Sequence, residues 1–427
     1  MRFRFVSLML LFLLPFLMLA APGVHAGGEV PLTPVTVEQL VEAVLRVNPQ
    51  VRAARARWNS SVHQIKQNYV PADPIFTYSN LESSKDFNAA AHAHAWSDNF
   101  QFPGKALLQG GQARRTAEIA RLSYEATCRD TRAAAETGYY QALLDAALAD
   151  TTAAQVADLG RVLKVTQVNY ETNQAAQTDV ISAQFDYSTA RQQEEQLLVS
   201  ALNDKRQLNQ LLFRHPDSPL SLDRRLKLKP LGVALDKLVE QAAMSRQEIL
   251  QIALGEKNNE TALTLARMEY LPDYSLAYEF DYILQPGAQP LPNVTQGNTF
   301  SIGFNMPIFF WWKQREDVTR AKFDLDAARD DLGSVKSQTE VAVTSLYSQA
   351  QLSYRIALTY RDYLVQLARQ DFNVALIAYQ NGKIKFPDLS GALQRAYNAR
   401  IAYLQAENQF LAQVVALEQA VGEPLPQ

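Results

Sequence analysis

Tyr274-Ser275-Leu276-Ala277-Tyr278-Glu279-Phe280-Asp281-Tyr282-Ile283-Leu284 is the stretch that decides the fold. Tyr274, Leu276, Tyr278, Phe280, Tyr282 and Leu284 fall on one side of an extended chain. Ser275, Ala277, Glu279 and Asp281 fall on the other. This period of two predicts a strand with one aromatic and one polar face. Such a strand suits lipid on one side and water on the other, and its length suits a tilted crossing. Taken alone, it also reads as half of a water-soluble hairpin over a one-sided core.

Residues 299–309 form the next patterned run. Phe309, Phe310, Trp311 and Trp312 are expected to close it at a membrane–water boundary, where aromatic rings concentrate. The first half of the chain carries its own pair of runs, 75–81 and 91–102. The intervening 82–90 and 285–297 are polar or rich in Pro and Gly and read as loops. Four strands are too few to close around a pore, and an open sheet edge is not viable in lipid. A membrane reading therefore requires several copies to share one barrel.

The chain says nearly the same thing twice. Tyr170-Glu-Thr-Asn-Gln-Ala-Ala-Gln-Thr-Asp179-Val180 parallels Tyr379-Gln-Asn-Gly-Lys-Ile-Lys-Phe-Pro-Asp388-Leu389, with Arg191 and Arg400 in the same relation. Tyr69-Val70-Pro71-Ala72-Asp73 parallels Tyr270-Leu271-Pro272-Asp273. Gln101-Phe102-Pro103-Gly104-Lys105 parallels Asn305-Met306-Pro307 and the later Lys313. Each half reads as a helix (49–70 or 247–271), two strands, a very long helix, a turn and a shorter helix.

Val318, Ala321, Leu325, Ala328, Leu332 and Val335 recur at heptad spacing. Ala342, Leu346, Ile356, Tyr360, Tyr363, Leu367, Val374 and Ile377 are expected to continue that seam. No proline interrupts 313–380, which would span roughly 100 Å as a helix. The first copy, about 112–173, offers Ile119, Leu122, Ala126, Ala133, Tyr140, Leu144 and Ala147.

The flanks fix the compartment. Arg2, Arg4, an apolar run over 8–19 and Val24-His25-Ala26 predict a signal peptide over 1–26. With 41 basic and 44 acidic residues, nothing marks a nucleic-acid binder. The single cysteine, Cys128, excludes an intrachain disulfide and reads as a small buried helix residue. Beyond the signal segment, no apolar run is long enough for a spanning helix.

These stretches, in this order, resemble the TolC family of outer-membrane efflux channels over essentially the whole mature chain. Asn48-Pro49-Gln50-Val51-Arg52-Ala53-Ala54 resembles the family's first helix, and Phe102-Pro103-Gly104-Lys105 the exit from its barrel, in a form associated with the heavy-metal and cation efflux branch. The resemblance implies a mainly α fold with a transmembrane β portion. A long α-helical periplasmic barrel would continue into a 12-stranded β-barrel built by a homotrimer, four strands per subunit. It implies a first repeat over 27–213, an equatorial connector over 214–245, a second repeat over 246–412 and an equatorial C-terminal segment over 413–427.

The function implied is the outer-membrane exit duct of a tripartite efflux system, with its helical part in the periplasm. Its partners would be a periplasmic adaptor and an inner-membrane pump, and no cofactor is expected. Asn173, Gln174 and Thr178, with Asn381, Gly382 and Lys383, become candidate adaptor-docking tips, although two ordinary helical-hairpin turns would look the same. Asp388, and Asp179 in the first half, match the family's acidic gate. Threefold symmetry would gather three Asp388 carboxylates into a ring sensitive to pH and cations. The second acid of the family pattern is replaced by Gly391, and Asp388 after Pro387 also reads as a helix N-cap.

His92 and His94 share a strand face, but no local carboxylate or cysteine completes a metal site. No phosphate-loop, zinc-protease or serine-hydrolase motif occurs, so no enzyme is expected. A protein-secretion duct of the type I kind shares the architecture. A periplasmic coiled-coil adaptor or rod is disfavoured by the aromatic strands.

Overall fold

The computed structural model describes residues 34–70, 72–82, 90–226, 228–284 and 297–425. The signal segment over 1–26 and most of the two expected strand-connecting loops lie outside them.

Four strands, β1 (Ile75–Glu82), β2 (Ala90–Phe100), β3 (Tyr274–Leu284) and β4 (Gly297–Phe304), form one antiparallel sheet in chain order. Cross-strand rows run Phe76–Trp96–Tyr278–Phe300 and Tyr78–His94–Phe280–Asn298. Alternation then sets Ser97, Ala277 and Ser301 on the opposite face. The outer edges of β1 and β4 pair with nothing among the described residues.

β4 is shorter than the sequence pattern suggested. It ends at Phe304, so Phe309–Trp312 do not close the strand but form the turn that follows it. Pro307 is the reason, since it has no N–H to donate to a ladder. β2 likewise stops at Phe100, ahead of Pro103.

The rest is helical. α1 (Val37–Val47) opens with a capping box, in which Thr36 N donates to Gln39 Oε1 at 3.1 Å and Gln39 N donates to Thr36 Oγ1 at 3.5 Å. α2 (Pro49–Gln67) follows at once, capped by Asn48, with proline at its first position where a missing N–H costs nothing. The long α3 (Lys105–Glu171) and α4 (Gln177–Leu211) complete the first repeat. α5 (Leu235–Ser245), α6 (Gln247–Met268), α7 (Lys313–Thr359), α8 (Val365–Gln380) and α9 (Phe386–Val421) repeat the order, so α9 runs on through 413–421.

The helices form a single open layer. Beside the sheet its order is α2–α3–α6–α7, and farther away it is α4–α3–α9–α8. α2 stacks end-on against α4, where Asn48 Nδ2 donates to the Leu211 carbonyl at 3.3 Å. α6 meets α9 in the same way, through Gln247 Nε2 and the Gly422 carbonyl at 3.2 Å. Gly422 is required there. Its φ is 93°, and a Cβ would come within 2.9 Å of the Arg246 backbone. Around these junctions α1 packs on Ala135, Tyr139 and Leu208, and α5 packs on Val343, Leu417 and Val421.

The second long helix departs from expectation in an informative way. A five-residue π turn, Tyr360–Leu364, separates α7 from α8. Before it, buried positions repeat those of α3 at an offset of 208: Thr131 and Thr339, Ala135 and Val343, Ala142 and Ala350, Ala149 and Ala357. At the tip the left-handed Asn173 and Gly382 are 209 apart. The π turn holds the one extra residue and carries the helix past it unbroken.

The predicted continuation of the heptad seam fails for the related reason that this helix has two apolar stripes. Thr339, Val343, Ala350, Ser353 and Ala357 are buried inside the protomer. Tyr363, Leu367, Val374 and Ile377 point out, at 68, 59, 68 and 60% exposure. In α3 the expected Ile119, Ala126, Ala133, Tyr140, Leu144 and Ala147 are half-buried, as is Cys128, while Leu122 is fully buried. α3 has neighbours on both flanks, so its contact surface is wider than one stripe.

One interhelical contact is electrostatically unfavourable. Asp204 on α4 faces Asp145 on α3, and one of its carboxylate oxygens is buried without a partner. Burial, and then the Asp145 charge, push Asp204 up to about 6. Its folded value lies above its unfolded one, so it favours the folded state at low pH, and that contribution is lost as pH rises through about 6. Asp204→Asn should stabilise the protein by about 1–2 kcal/mol at pH 8 and by almost nothing at pH 4.5. Urea-denaturation midpoints at the two pH values measure this, and an equal effect at both would contradict it.

Candidate functional site

Two features concentrate the candidate residues: the helical tips at one end and the sheet–helix junction at the other. Both tips are tight turns made by the same backbone device. In the first, Asn173 takes a left-handed φ of 56°, and Gln174 N donates back to the Asn169 carbonyl at 2.7 Å. In the second, Gly382 takes a φ of 69°, and Lys383 N donates to the Ala378 carbonyl at 2.9 Å. Asn173, Gln174, Thr178, Asn381, Gly382 and Lys383 are all exposed. They form the outermost surface of the two turns and are free to meet a partner.

Asp179 and Asp388 occupy equivalent places. Each is the third residue of its helix and accepts the N–H of the capping residue, Ala176 at 3.2 Å and Lys385 at 3.3 Å. Asp388 is therefore not itself the N-cap expected after Pro387. Lys385 takes that position, because the proline begins inside the first turn. The bond uses one oxygen of each carboxylate, near the positive end of the helix dipole. Asp388 is exposed and Asp179 half-buried.

Behind the tips lies a buried acid that sequence reasoning did not identify. Asp158 on α3 has 3% exposure. It accepts from Tyr397 Oη on α9 at 2.6 Å, from Arg369 Nη1 on α8 at 2.9 Å, and from Arg161. Tyr379 Oη also reaches Thr166 Oγ1 at 3.3 Å across the same interface. These contacts tie the two repeats together near the tips. No motif marks Asp158, whose partners on α8 and α9 lie more than two hundred residues away.

At the opposite end, Lys105 opens α3 with its side chain only 3% exposed. Its Nζ lies 3.0 Å from Asp273 Oδ1 and 3.1 Å from Glu269 Oε1. Asp273 Oδ1 also accepts the Phe102 N–H at 2.8 Å. Burial alone would lower the lysine, but the bonds to Asp273 and Glu269 outweigh it and hold Lys105 above its ordinary value. The Phe-Pro-Gly-Lys stretch of the first repeat is thus locked to the Leu-Pro-Asp stretch of the second.

Above this junction the sheet has two chemically distinct faces. Phe76, Tyr78, His94, Trp96, Tyr274, Tyr278, Phe280, Phe300, Ile302 and Phe304 share one. Thr77, Ser79, Ala95, Ser97, Ser275, Glu279, Thr299 and Ser301 share the other. Asp98, near the helical end of β2, is an acid on the aromatic face. His94 packs against Tyr78, with ring centroids 5.1 Å apart, and so belongs to the aromatic face. The side chain of His92 falls outside the described part. Among the described residues no group of three or more metal-ligating side chains forms, and no helix is long and apolar enough to cross a membrane. Phe309, Phe310, Trp311 and Trp312 are exposed at the helical end of the strands, with Phe310 and Trp311 edge to face at 4.6 Å.

This arrangement, an aromatic-faced sheet on an open layer of long helices, has known relatives. Residues 238–423 match the family model described as outer membrane efflux protein. Outer membrane protein TolC of Vibrio cholerae is 22% identical over 318 residues, covering 73% of this chain and 72% of that protein. The crystal structure of VceC, also from Vibrio cholerae, superposes with a TM-score of 0.76 at 15% identity, covering 91% of this chain and 97% of that one. CusC superposes with a TM-score of 0.77 at 14% identity, covering 96% of each chain. The two scores are nearly equal, so fold likeness does not single out one branch of these channels. The repeat, the sheet and the tips agree with these matches: the second half of the chain matches the outer membrane efflux protein family model, and the whole resembles the TolC-like channels in fold.

Proposed function

We propose that this chain is the outer-membrane exit duct of a tripartite efflux system, working as a homotrimer. The observation that carries the reading is the unfinished sheet. Its four strands have an aromatic face, and both outer edges lack partners among the described residues. In lipid such edges must be paired, and further copies of the same chain are the simplest source of strands. The helical layer is open in the same sense. Ile181, Phe185 and Val199 on α4 at one flank, and Tyr363, Leu367 and Val374 at the other, leave large side chains exposed. Three copies give twelve strands and a tube wide enough for water.

Such a tube needs no catalytic group. Its work is passage from a periplasmic adaptor and inner-membrane pump to the exterior. The exposed turns at Asn173–Thr178 and Asn381–Lys383 are the surfaces offered to the adaptor. Phe309–Trp312 anchor the duct at the periplasmic membrane boundary. The free oxygens of three Asp388 side chains would line the entrance.

The reading is tested by purifying the mature protein. A trimer recovered from outer membranes in detergent, conducting ions in a planar bilayer, is the expected result. A soluble periplasmic monomer without conductance would contradict it. Asp388→Ala is expected to raise single-channel conductance several-fold, or to weaken block by divalent cations. Unchanged values of both would leave Asp388 only its role in capping α9.

A further inference from the structure

The two repeats are equivalent in register, so a contact made inside one protomer has a counterpart with only half its partners present. Lys105 and Lys313 each begin a long helix, 208 residues apart, the same offset that relates the buried positions of α3 and α7. Lys105 is buried because the chain entering β3 lies beside it and supplies Asp273. The chain entering β1 carries Asp73, two residues before the strand, as Asp273 lies one residue before β3. Within the protomer β1 and β4 are at opposite edges of the sheet, so Asp73 and Lys313 cannot take up the arrangement of Asp273 and Lys105. Both are exposed, and among the described residues neither side chain has a hydrogen-bond or ion-pair partner.

Resting on the homotrimer reading above, we propose that Asp73 of one subunit pairs with Lys313 of the next where β1 of one copy meets β4 of the other. Closing the barrel brings the start of α7 beside the entry to β1, as β2–β3 pairing brings the start of α3 beside the entry to β3. The charges are complementary. The site is a second copy of a joint whose geometry is already built once in each chain, at Lys105 Nζ and Asp273 Oδ1, 3.0 Å apart. Glu269 has no acidic counterpart, because the corresponding position before β1 is Asn68 or Tyr69. The intersubunit pair therefore has one carboxylate where the internal one has two, which makes it the weaker of the two joints.

The test is a charge exchange read on the purified trimer, with cross-linking as a second measurement. Asp73→Lys and Lys313→Asp, made singly, should each increase the dissociated fraction on the order of tenfold under mild denaturation. The double exchange should return it to within about twofold of the parent. In a Cys128→Ser background, Asp73→Cys with Lys313→Cys and a short bismaleimide should give covalent dimers and trimers, and either cysteine alone should not. A parent that is not trimeric would overturn the homotrimer reading itself. A trimeric parent that is indifferent to both single exchanges, or that gives no cross-link from the double cysteine variant, would overturn this pairing alone.

Discussion

Asp273→Ala is expected to cost about 2–3 kcal/mol of folding stability, because it leaves a buried ammonium with one half-exposed carboxylate in place of two. Lys105 Nζ would keep only Glu269, which is half exposed and holds it at 3.1 Å. The Phe102 N–H, now 2.8 Å from Asp273 Oδ1, would also lose its acceptor. The cost comes from the weakened pairing of the buried charge more than from the lost Phe102 bond, and this gives the prediction its signature. Lys105→Met should be milder, at about 1–2 kcal/mol, since a thioether fills much of the lysine stem's volume without needing a partner. Lys105→Met combined with Asp273→Ala should be more stable than Asp273→Ala alone. Denaturation midpoints of the three variants in detergent decide the matter. If the double variant is the least stable of the three, Lys105 is not held by its charge.

Asp158→Ala is the second large effect, expected at about 3 kcal/mol and confined to the entrance end. The change removes the acceptor shared by Tyr397 Oη at 2.6 Å and Arg369 Nη1 at 2.9 Å. Arg369 and Arg161 reach solvent and can rehydrate, but the Tyr397 hydroxyl cannot do so easily, because Tyr397 is 6% exposed. α3, α8 and α9 would then separate more readily near the tips, and amide exchange should rise in 155–170 and 390–400 while the sheet stays unchanged. Asp158→Asn keeps an acceptor for the tyrosine and should lose about half as much. Exchange that rises uniformly along α3 would refute a local role.

The registers of the sheet and of the tips were legible because each depends on short-range pattern. Alternation over 274–284 assigns a face to each residue without knowledge of its neighbours. The matched Tyr–Asp spacings located two equivalent turns, since a turn is set by a few consecutive dihedrals. Aromatic composition would carry β4 on to Trp312, but Pro307 ends its ladder at Phe304. The second half of the heptad seam is not legible, because this helix carries one buried and one exposed stripe, which one periodicity cannot separate.

The sequence by itself determined the repeat, the strand faces and the long helices, all of which follow from local preference and order along the chain. Only the tertiary structure decided that Asp158 joins α3 to α8 and α9, that Lys105 is buried on Asp273, and that a π turn absorbs the extra residue between the repeats. The physical reason is distance. A buried charge is specified by whatever the fold brings within about 3 Å of it, and those partners come from positions that no spacing rule connects.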